Sequence, residues 1–169
     1  MNNTIQLHLA ITEDHPYYSE YKLQVDKHNN SLNSEPFPNS GFDLFIPCDT
    51  ETKQFQTSFI DLGVKATMTS QLELNDPSNN GIAYQIYPRS SLSKYPIMLA
   101  NHVGIIDSGY RGNLIAAFRS FQDDFKIEKG NRLVQICHPK LLPFYVNIVH
   151  PNDLNTTTRG SGGFGSTGV

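Results

Sequence analysis

The chain has 169 residues, 38% hydrophobic and 17% charged, with a formal net charge of -3. That length suits one compact domain burying about two-thirds of its unfolded surface, and the low charge excludes disorder driven by self-repulsion. The negative balance argues against a basic nucleic-acid-binding surface. No apolar run reaches the roughly 20 residues of a membrane span, and no signal-peptide pattern opens the chain. The expectation is an intracellular protein, cytoplasmic or nuclear, with neither nucleic acid nor membrane as partner. Two cysteines, Cys48 and Cys137, are too few for a disulfide framework and read as buried reduced thiols. The six histidines show no tight metal-ligand spacing.

Taken in chain order, residues 3–11 alternate about Ile5, Leu7 and Leu9, which predicts a strand with one buried face. Residues 12–39 are polar, hold Pro16, Pro36 and Pro38, and read as a loop or short turn anchored by Tyr17, Tyr18 and Tyr21. A short strand closed by proline is predicted over 41–47. The near period-two pattern of Phe59, Leu62, Val64, Ala66 and Met68 predicts a further single strand. Residues 74–81 are dense in turn formers and read as a hairpin tip; 82–87 is extended up to Pro88.

Apolar segments at 97–100 and 114–118 flank Asn101-His-Val-Gly-Ile-Ile-Asp-Ser-Gly-Tyr-Arg-Gly112. Apolar runs punctuated by glycine predict strands meeting in hairpins. A bend at Gly109 would turn Asp107 and Tyr110 into one cleft, although these residues alone better suit an ordinary hairpin with a solvated acid and a core-edge tyrosine. Gly130-Asn131 predicts a turn between strands at 125–127 and 133–137, and 144–149 supplies the last strand. No period of 3.6 persists for three turns. About ten short strands separated by turn signals predict an all-β sandwich or barrel.

Residues 155–168 hold five glycines among them, with one arginine, Arg159, and one aromatic, Phe164. Such a segment buries too little apolar surface to order unaided. As a lid over a phosphate-bearing ligand it would supply glycine N–H groups, the Ser166 and Thr167 hydroxyls and a fixed guanidinium fork. Phe164 would suit a stacking partner for a base.

Five segments stand in order: Ser40-Gly-Phe-Asp-Leu44, Pro88-Arg-Ser-Ser-Leu92, Gly104-Ile-Ile-Asp-Ser-Gly-Tyr-Arg-Gly112, Gly130-Asn-Arg-Leu-Val-Gln135 and Arg159-Gly-Ser-Gly-Gly-Phe-Gly-Ser-Thr-Gly168. Together they resemble the five motifs of the homotrimeric dUTP pyrophosphatases (dUTPases), over about residues 39–168. The resemblance implies an all-β distorted jelly-roll, a β-clip type barrel, over 1–154 and a flexible glycine-rich arm over 155–169. It implies a homotrimer with shared active sites, each closed by a neighbour's arm, and hydrolysis of dUTP to dUMP and pyrophosphate with Mg²⁺ on the triphosphate.

Roles follow from the same resemblance. Asp107 is the general base that activates water for attack on the α-phosphorus, and Arg159 neutralises charge on the transferred group. Tyr110 packs against the sugar and rejects a 2′-hydroxyl. The backbone of Gly104, Ile105 and Ile106, with the Asn101 side chain, reads the uracil edge, and Ile115 belongs to the same substrate-binding set. Arg89, Ser90, Ser91 and Gln135 hold phosphate oxygens, while Phe164 stacks on uracil and Gly165, Ser166 and Thr167 wrap the β- and γ-phosphates. Asp43 reaches the metal ion only through water. Arg132 is left out of the site as a strand- or chain-bridging residue.

Two departures stand out: Ser91 where glycine is frequent, which costs the loop some freedom, and Ser40 where alanine is common. Serine at the former also occurs in the related dCTP deaminases. That alternative needs a catalytic glutamate on the strand after the 101–112 stretch, where this chain has Ala117. A non-catalytic jelly-roll interaction module would predict losses at Asp107, Arg159 or the tail, and none is lost.

Overall fold

The structure, a computed structural model, describes residues 4–70 and 81–162. Its elements run β1 (Gln6–Ala10), α1 (Tyr18–Ser34), β2 (Gly41–Phe45), β3 (Thr50–Glu51), β4 (Thr57–Asp61), β5 (Lys65–Thr69) and β6 (Tyr84–Pro88), then β7 (Ile97–Leu99), β8 (Gly104–Ile106), β9 (Ile115–Ser120), β10 (Lys126–Ile127), β11 (Arg132–Cys137) and β12 (Tyr145–Val149). Among the described residues the strands form sheets ordered β12-β1-β5, β10-β3, β2-β11-β6-β8 and β4-β9-β7. This is the expected all-β architecture of jelly-roll type, with one helix added. No helix among the described residues is long and apolar enough to cross a membrane.

The helix corrects the reading of 12–39 as a loop. Its inward face is Tyr21, Val25 and His28, at helical spacing, but two of the three are not aliphatic and the other faces are polar. A search for apolar periodicity therefore passes over it. What holds it is mostly hydrogen bonding to strand edges. Gln24 Nε2 donates to the Asp43 carbonyl at 2.8 Å, and the Phe45 N–H donates to Tyr21 Oη at 2.9 Å. Asn29 takes the Val146 N–H at 2.9 Å and donates to the Val146 carbonyl at 2.8 Å, while His28 Nε2 reaches the Phe144 carbonyl at 2.9 Å. β2 and β12 are both edge strands, so α1 satisfies backbone groups that a bare edge would leave open. Its C-terminus is bounded by Glu35, whose N–H reaches the Ser31 carbonyl, immediately before Pro36.

Other expectations shift in detail. β1 is buried on both faces, because it is central in its sheet, parallel to β12 and antiparallel to β5. Its polar residues are paired: His8 Nε2 lies 3.1 Å from Thr69 Oγ1, and Gln6 Oε1 accepts from Asn147 Nδ2 at 2.7 Å. The single strand expected over 59–68 is two, β4 and β5, broken at Gly63. Gly63 has φ +68°, a conformation glycine adopts without strain, and its N–H donates to Asp61 Oδ1 at 2.8 Å. The Gly130 turn joins β10 and β11, but these strands pair with β3 and with β2 and β6 respectively. Cys137 is buried as expected, whereas Cys48 is exposed. The expected tip at 74–80 lies outside the described residues.

Burial holds both His8 and His28 below the ordinary histidine pKa; for His28, bonding to the Phe144 carbonyl and the Asp43 charge act the other way. Each is held neutral in the fold and charges more readily in the unfolded chain. The unfolded state thus binds more protons as pH falls through about 6.5, and stability falls with it. The melting temperature is expected to drop as pH is lowered through that value. His28→Gln keeps a donor for the Phe144 carbonyl and should flatten part of the drop; equal pH slopes in the two proteins would refute a cost at position 28.

Candidate functional site

β7 and β9 pair antiparallel, Leu99 opposite Phe118, so the chain between them leaves its sheet and returns. On the way, β8 pairs with β6 in the neighbouring four-stranded sheet, Ile86 opposite Gly104. Expected as a simple hairpin, the 101–112 stretch is an excursion that ties two sheets together. His102 turns it with φ 60°.

Between the two sheets lies a cavity of about 210 Å³, lined by Asn101, Gly104, Ile105, Ile106, Asp107, Tyr110 and Ile115, with Ile86, Leu99, Ala116 and Ala117 behind them and Arg159 and Gly162 over them. The structure thus brings together the residues expected to face base, sugar and water. The Tyr110 N–H closes a turn on the Asp107 carbonyl at 3.0 Å, and Tyr110 Oη donates to the Asn113 carbonyl at 2.8 Å. Both ends of the ring are therefore fixed. Burial first, then the Asp61 charge, raises the phenol pKa, with Arg159 opposing. A Cβ at Gly112 would stand 2.6 Å from Tyr110 Cζ and 3.1 Å from the Ser161 carbonyl, so only glycine lets ring and arm approach here.

The described part of the arm, 155–162, lies on its own chain's 107–112 segment. Arg159 Nε meets Asp107 Oδ2 at 3.2 Å, and the Asp107 side chain remains 60% exposed. Thr157 Oγ1 donates to the Gly109 carbonyl and accepts the Gly160 N–H at 3.2 Å. Arg111, given no role from sequence, roots the arm. Its guanidinium donates to the Asn155 side chain at 2.9 Å and the Asn155 carbonyl at 3.1 Å, and to the Ser108 and Tyr110 carbonyls at 2.9 and 2.8 Å. Only an arginine fork reaches four acceptors in this way. Phe164, Gly165, Ser166 and Thr167 lie outside the described residues.

The residues expected to hold phosphates gather elsewhere. Asp43, Arg89, Ser90 and Gln135 line a larger cleft, about 710 Å³, between α1 and the β2-β11-β6 face. Asp43 sits across from Gln135, and Gln135 from Tyr87, in strand register. The Asp43 carboxylate is held by Arg89 Nε at 2.7 Å and Arg132 Nη1 at 3.4 Å. Burial raises its pKa above the ordinary carboxylate range, and the two guanidiniums pull it back. Arg89 Nη1 also donates to the Arg132 carbonyl at 2.7 Å and reaches Ser91 Oγ at 3.4 Å; its two Nη2 hydrogens are not taken by these bonds. Ser91 lies in a 3-10 turn, Ser90–Lys94, and is not among the residues with positive φ, so the turn has no need of glycine there. Arg132, set aside from sequence as a bridge, bridges to Asp43 and also lines the cleft.

Among the described residues no group of three His, Cys, Asp or Glu side chains could hold a metal ion. Mg²⁺ commonly keeps several waters and binds through one or two carboxylates plus substrate phosphates. Asp43 fits such an outer role: each of its oxygens meets one guanidinium, which leaves a lone pair on each for an ion-bound water.

A profile of the dUTPase family matches residues 29–168. The deoxyuridine 5'-triphosphate nucleotidohydrolase of Clostridium novyi is 34% identical over 154 residues, covering 88% of this chain and 99% of that protein. The enzyme of the same name from Helicobacter pylori is 29% identical over 152 residues, covering 88% and 97%. Among solved structures, dUTPase from Streptococcus mutans superposes with a TM-score of 0.48 at 24% identity, over 65% of this chain and 82% of that one. By the extent of the family match and the identity to a relative spanned almost end to end, the chain belongs to the dUTPase family.

Proposed function

We propose that the protein is a dUTP diphosphatase, cleaving dUTP to dUMP and pyrophosphate. The observation that carries this reading is the cavity in which Asp107, Tyr110 and the backbone of Gly104–Ile106 face one another under Arg159. At about 210 Å³ it is smaller than the roughly 300–1,000 Å³ of clefts that take a complete ligand. It suits a base and sugar, with the phosphates leading away.

In this reading the Gly104–Ile106 backbone and the Asn101 amide bond the uracil edge. A cytosine would leave these groups unpaired, which costs far more than a lost methylene contact. The Tyr110 ring, held at both ends, packs on deoxyribose. Asp107 has one oxygen on Arg159 and the other free to accept a proton from water. The water oxygen bonds to the α-phosphorus as the bridging oxygen to the β-phosphate departs. Asp107 takes the proton, and pyrophosphate leaves. Arg159 follows the charge from carboxylate to phosphate. Bound Mg²⁺ supplies charge neutralisation on the triphosphate, with Asp43 meeting its water shell. Arg89, Ser90, Ser91 and Gln135 bind phosphate oxygens, and Ile115 lines the nucleoside cavity.

The separation of the two half-sites supports a homotrimer with shared sites: one chain offers base and phosphate subsites in different places, and a second copy can complete each. The domain would run over 1–154, with 155–169 as an arm in which Phe164 stacks on the base and Gly165, Ser166 and Thr167 wrap phosphates. The compartment is intracellular in this reading. A dCTP deaminase is disfavoured by Ala117, which lines the cavity where that chemistry needs a glutamate.

The protein should release pyrophosphate from dUTP, and not from dCTP, dTTP or UTP at comparable rates, with loss of rate on chelation of Mg²⁺. Ammonia release from dCTP would overturn the reading. Asp107→Asn is expected to lower kcat about 10²–10⁴-fold, the usual worth of general-base catalysis, with nucleotide affinity retained.

Shared sites have a sharper consequence. Asp107→Asn and Arg89→Ala, each inactive alone, should regain activity when the two chains are unfolded and refolded together. Random assortment around a closed ring leaves about a quarter of sites with both residues intact. A mixture no more active than its components would refute sharing between chains.

A further inference from the structure

The phosphate cleft has a wall that the family motifs do not include. Lys27, Gln24 and His28 project from one face of α1 into the cleft holding Arg89, Arg132 and Asp43, and the family match begins only at residue 29. The helix is fixed in that position by Gln24 on Asp43 and Asn29 on Val146, so this wall is part of the scaffold.

The cleft's charges are unequally committed. Arg89 and Arg132 both meet the Asp43 carboxylate, and His28 is kept neutral by burial. Among the described residues Lys27 makes no ion pair, unlike Lys53 and Lys126. Lys22 on the same helix lies over the Tyr18 ring at 5.8 Å. Beside Lys27, the Gln24 amide nitrogen is spent on the Asp43 carbonyl. A polyphosphate answers the uncommitted ammonium, because its anionic oxygens suit that charge.

We infer that α1 extends the phosphate subsite and that Lys27 is a binding residue for the outer, pyrophosphate end of the substrate. The inference rests on the functional reading above only in placing a nucleoside triphosphate in the cleft. An ammonium is a compact point charge suited to a phosphate whose orientation is set by other groups. Because Lys27 is exposed, its contribution is that of a screened pair.

Calorimetry with inorganic tripolyphosphate, in chelator and at low salt, reads this subsite without catalysis. Lys27→Gln should weaken binding about three- to fivefold, Lys27→Glu more, and Lys22→Gln should leave it unchanged. In turnover, Lys27→Gln should raise KM for dUTP by the same factor at unchanged kcat, and weaken inhibition by pyrophosphate but not by dUMP. Tripolyphosphate affinity equal in Lys27→Gln and the unaltered protein would overturn the inference, even where dUTP is hydrolysed normally. Failure of the unaltered protein to cleave dUTP would instead defeat the functional reading, and calorimetry would still decide the role of Lys27.

Discussion

A carboxylate placed between two guanidiniums organises one half of this molecule. Asp43 lies on an edge strand, β2; Arg89 follows the last residue of β6, and Arg132 opens β11. One half-buried acid therefore ties β2 to the end of β6 and the start of β11. Removing the acid would leave two like charges side by side, a cost that solvent screening reduces because Arg132 is 43% exposed. With Asp43 gone, Arg89 and Arg132 would face each other without an anion. The same residue's backbone carbonyl receives Gln24 from α1, so the position of the helix and the arrangement of the cleft cations share one anchor. An edge strand that would otherwise invite pairing with another chain becomes instead the floor of a cleft.

The other half depends on a topological fact. The chain leaves β7, donates β8 to the neighbouring sheet and returns to β9, which pairs with β7. Both ends of the excursion are locked in ladders, so Asp107 and Tyr110 are carried on a short, braced segment. Rigid supports of this kind let a small site discriminate by unpaired polar groups and by lack of room. The cleft and the cavity open at different places on the chain, and a nucleotide with an extended phosphate chain is the kind of ligand that needs both.

Much of this was legible in the residues. Glycine and proline punctuation located most strands, and the five segments hold part of the lining of the cavity and of the cleft, Asp107 and Tyr110 in the one and Asp43, Arg89 and Gln135 in the other. Pairing was less legible, because period-two alternation says which face is buried and not which strand lies alongside. The Gly130 turn looked like a hairpin, yet β10 and β11 belong to different sheets. The near-continuous alternation from Phe59 to Met68 hid the turn at Gly63, whose sign is a local one: Asp61 two residues ahead, capping the Gly63 N–H. Helix α1 escaped because its inward face is carried by Tyr21, Val25 and His28 and its docking by Gln24 and Asn29. Those residue types count as polar or ambiguous in any hydrophobicity pattern. Arg111 escaped because an arginine that satisfies backbone carbonyls leaves no spacing signal, whereas Arg132, read as a bridge, does bridge to Asp43.

The contact between Arg159 and Asp107 carries the last step of the argument. With Asp107 60% exposed, the pair is worth at most about 1 kcal/mol. It is strong enough to keep the guanidinium near the carboxylate and weak enough to give it up to a polyanion. Arg111 meanwhile holds the arm's root at Asn155 through several hydrogen bonds, so exchange at Arg159 need not release the arm. Thr157 on the Gly109 carbonyl and the Gly160 carbonyl on the Arg111 N–H bracket Arg159 as well, so only its side chain has to shift. In the proposed reaction a triphosphate would draw the guanidinium off Asp107, while the oxygen that takes the proton from water is the one Arg159 leaves open. On the proposed reading, the guanidinium that meets Asp107 would pass to the phosphate and stabilise the charge there.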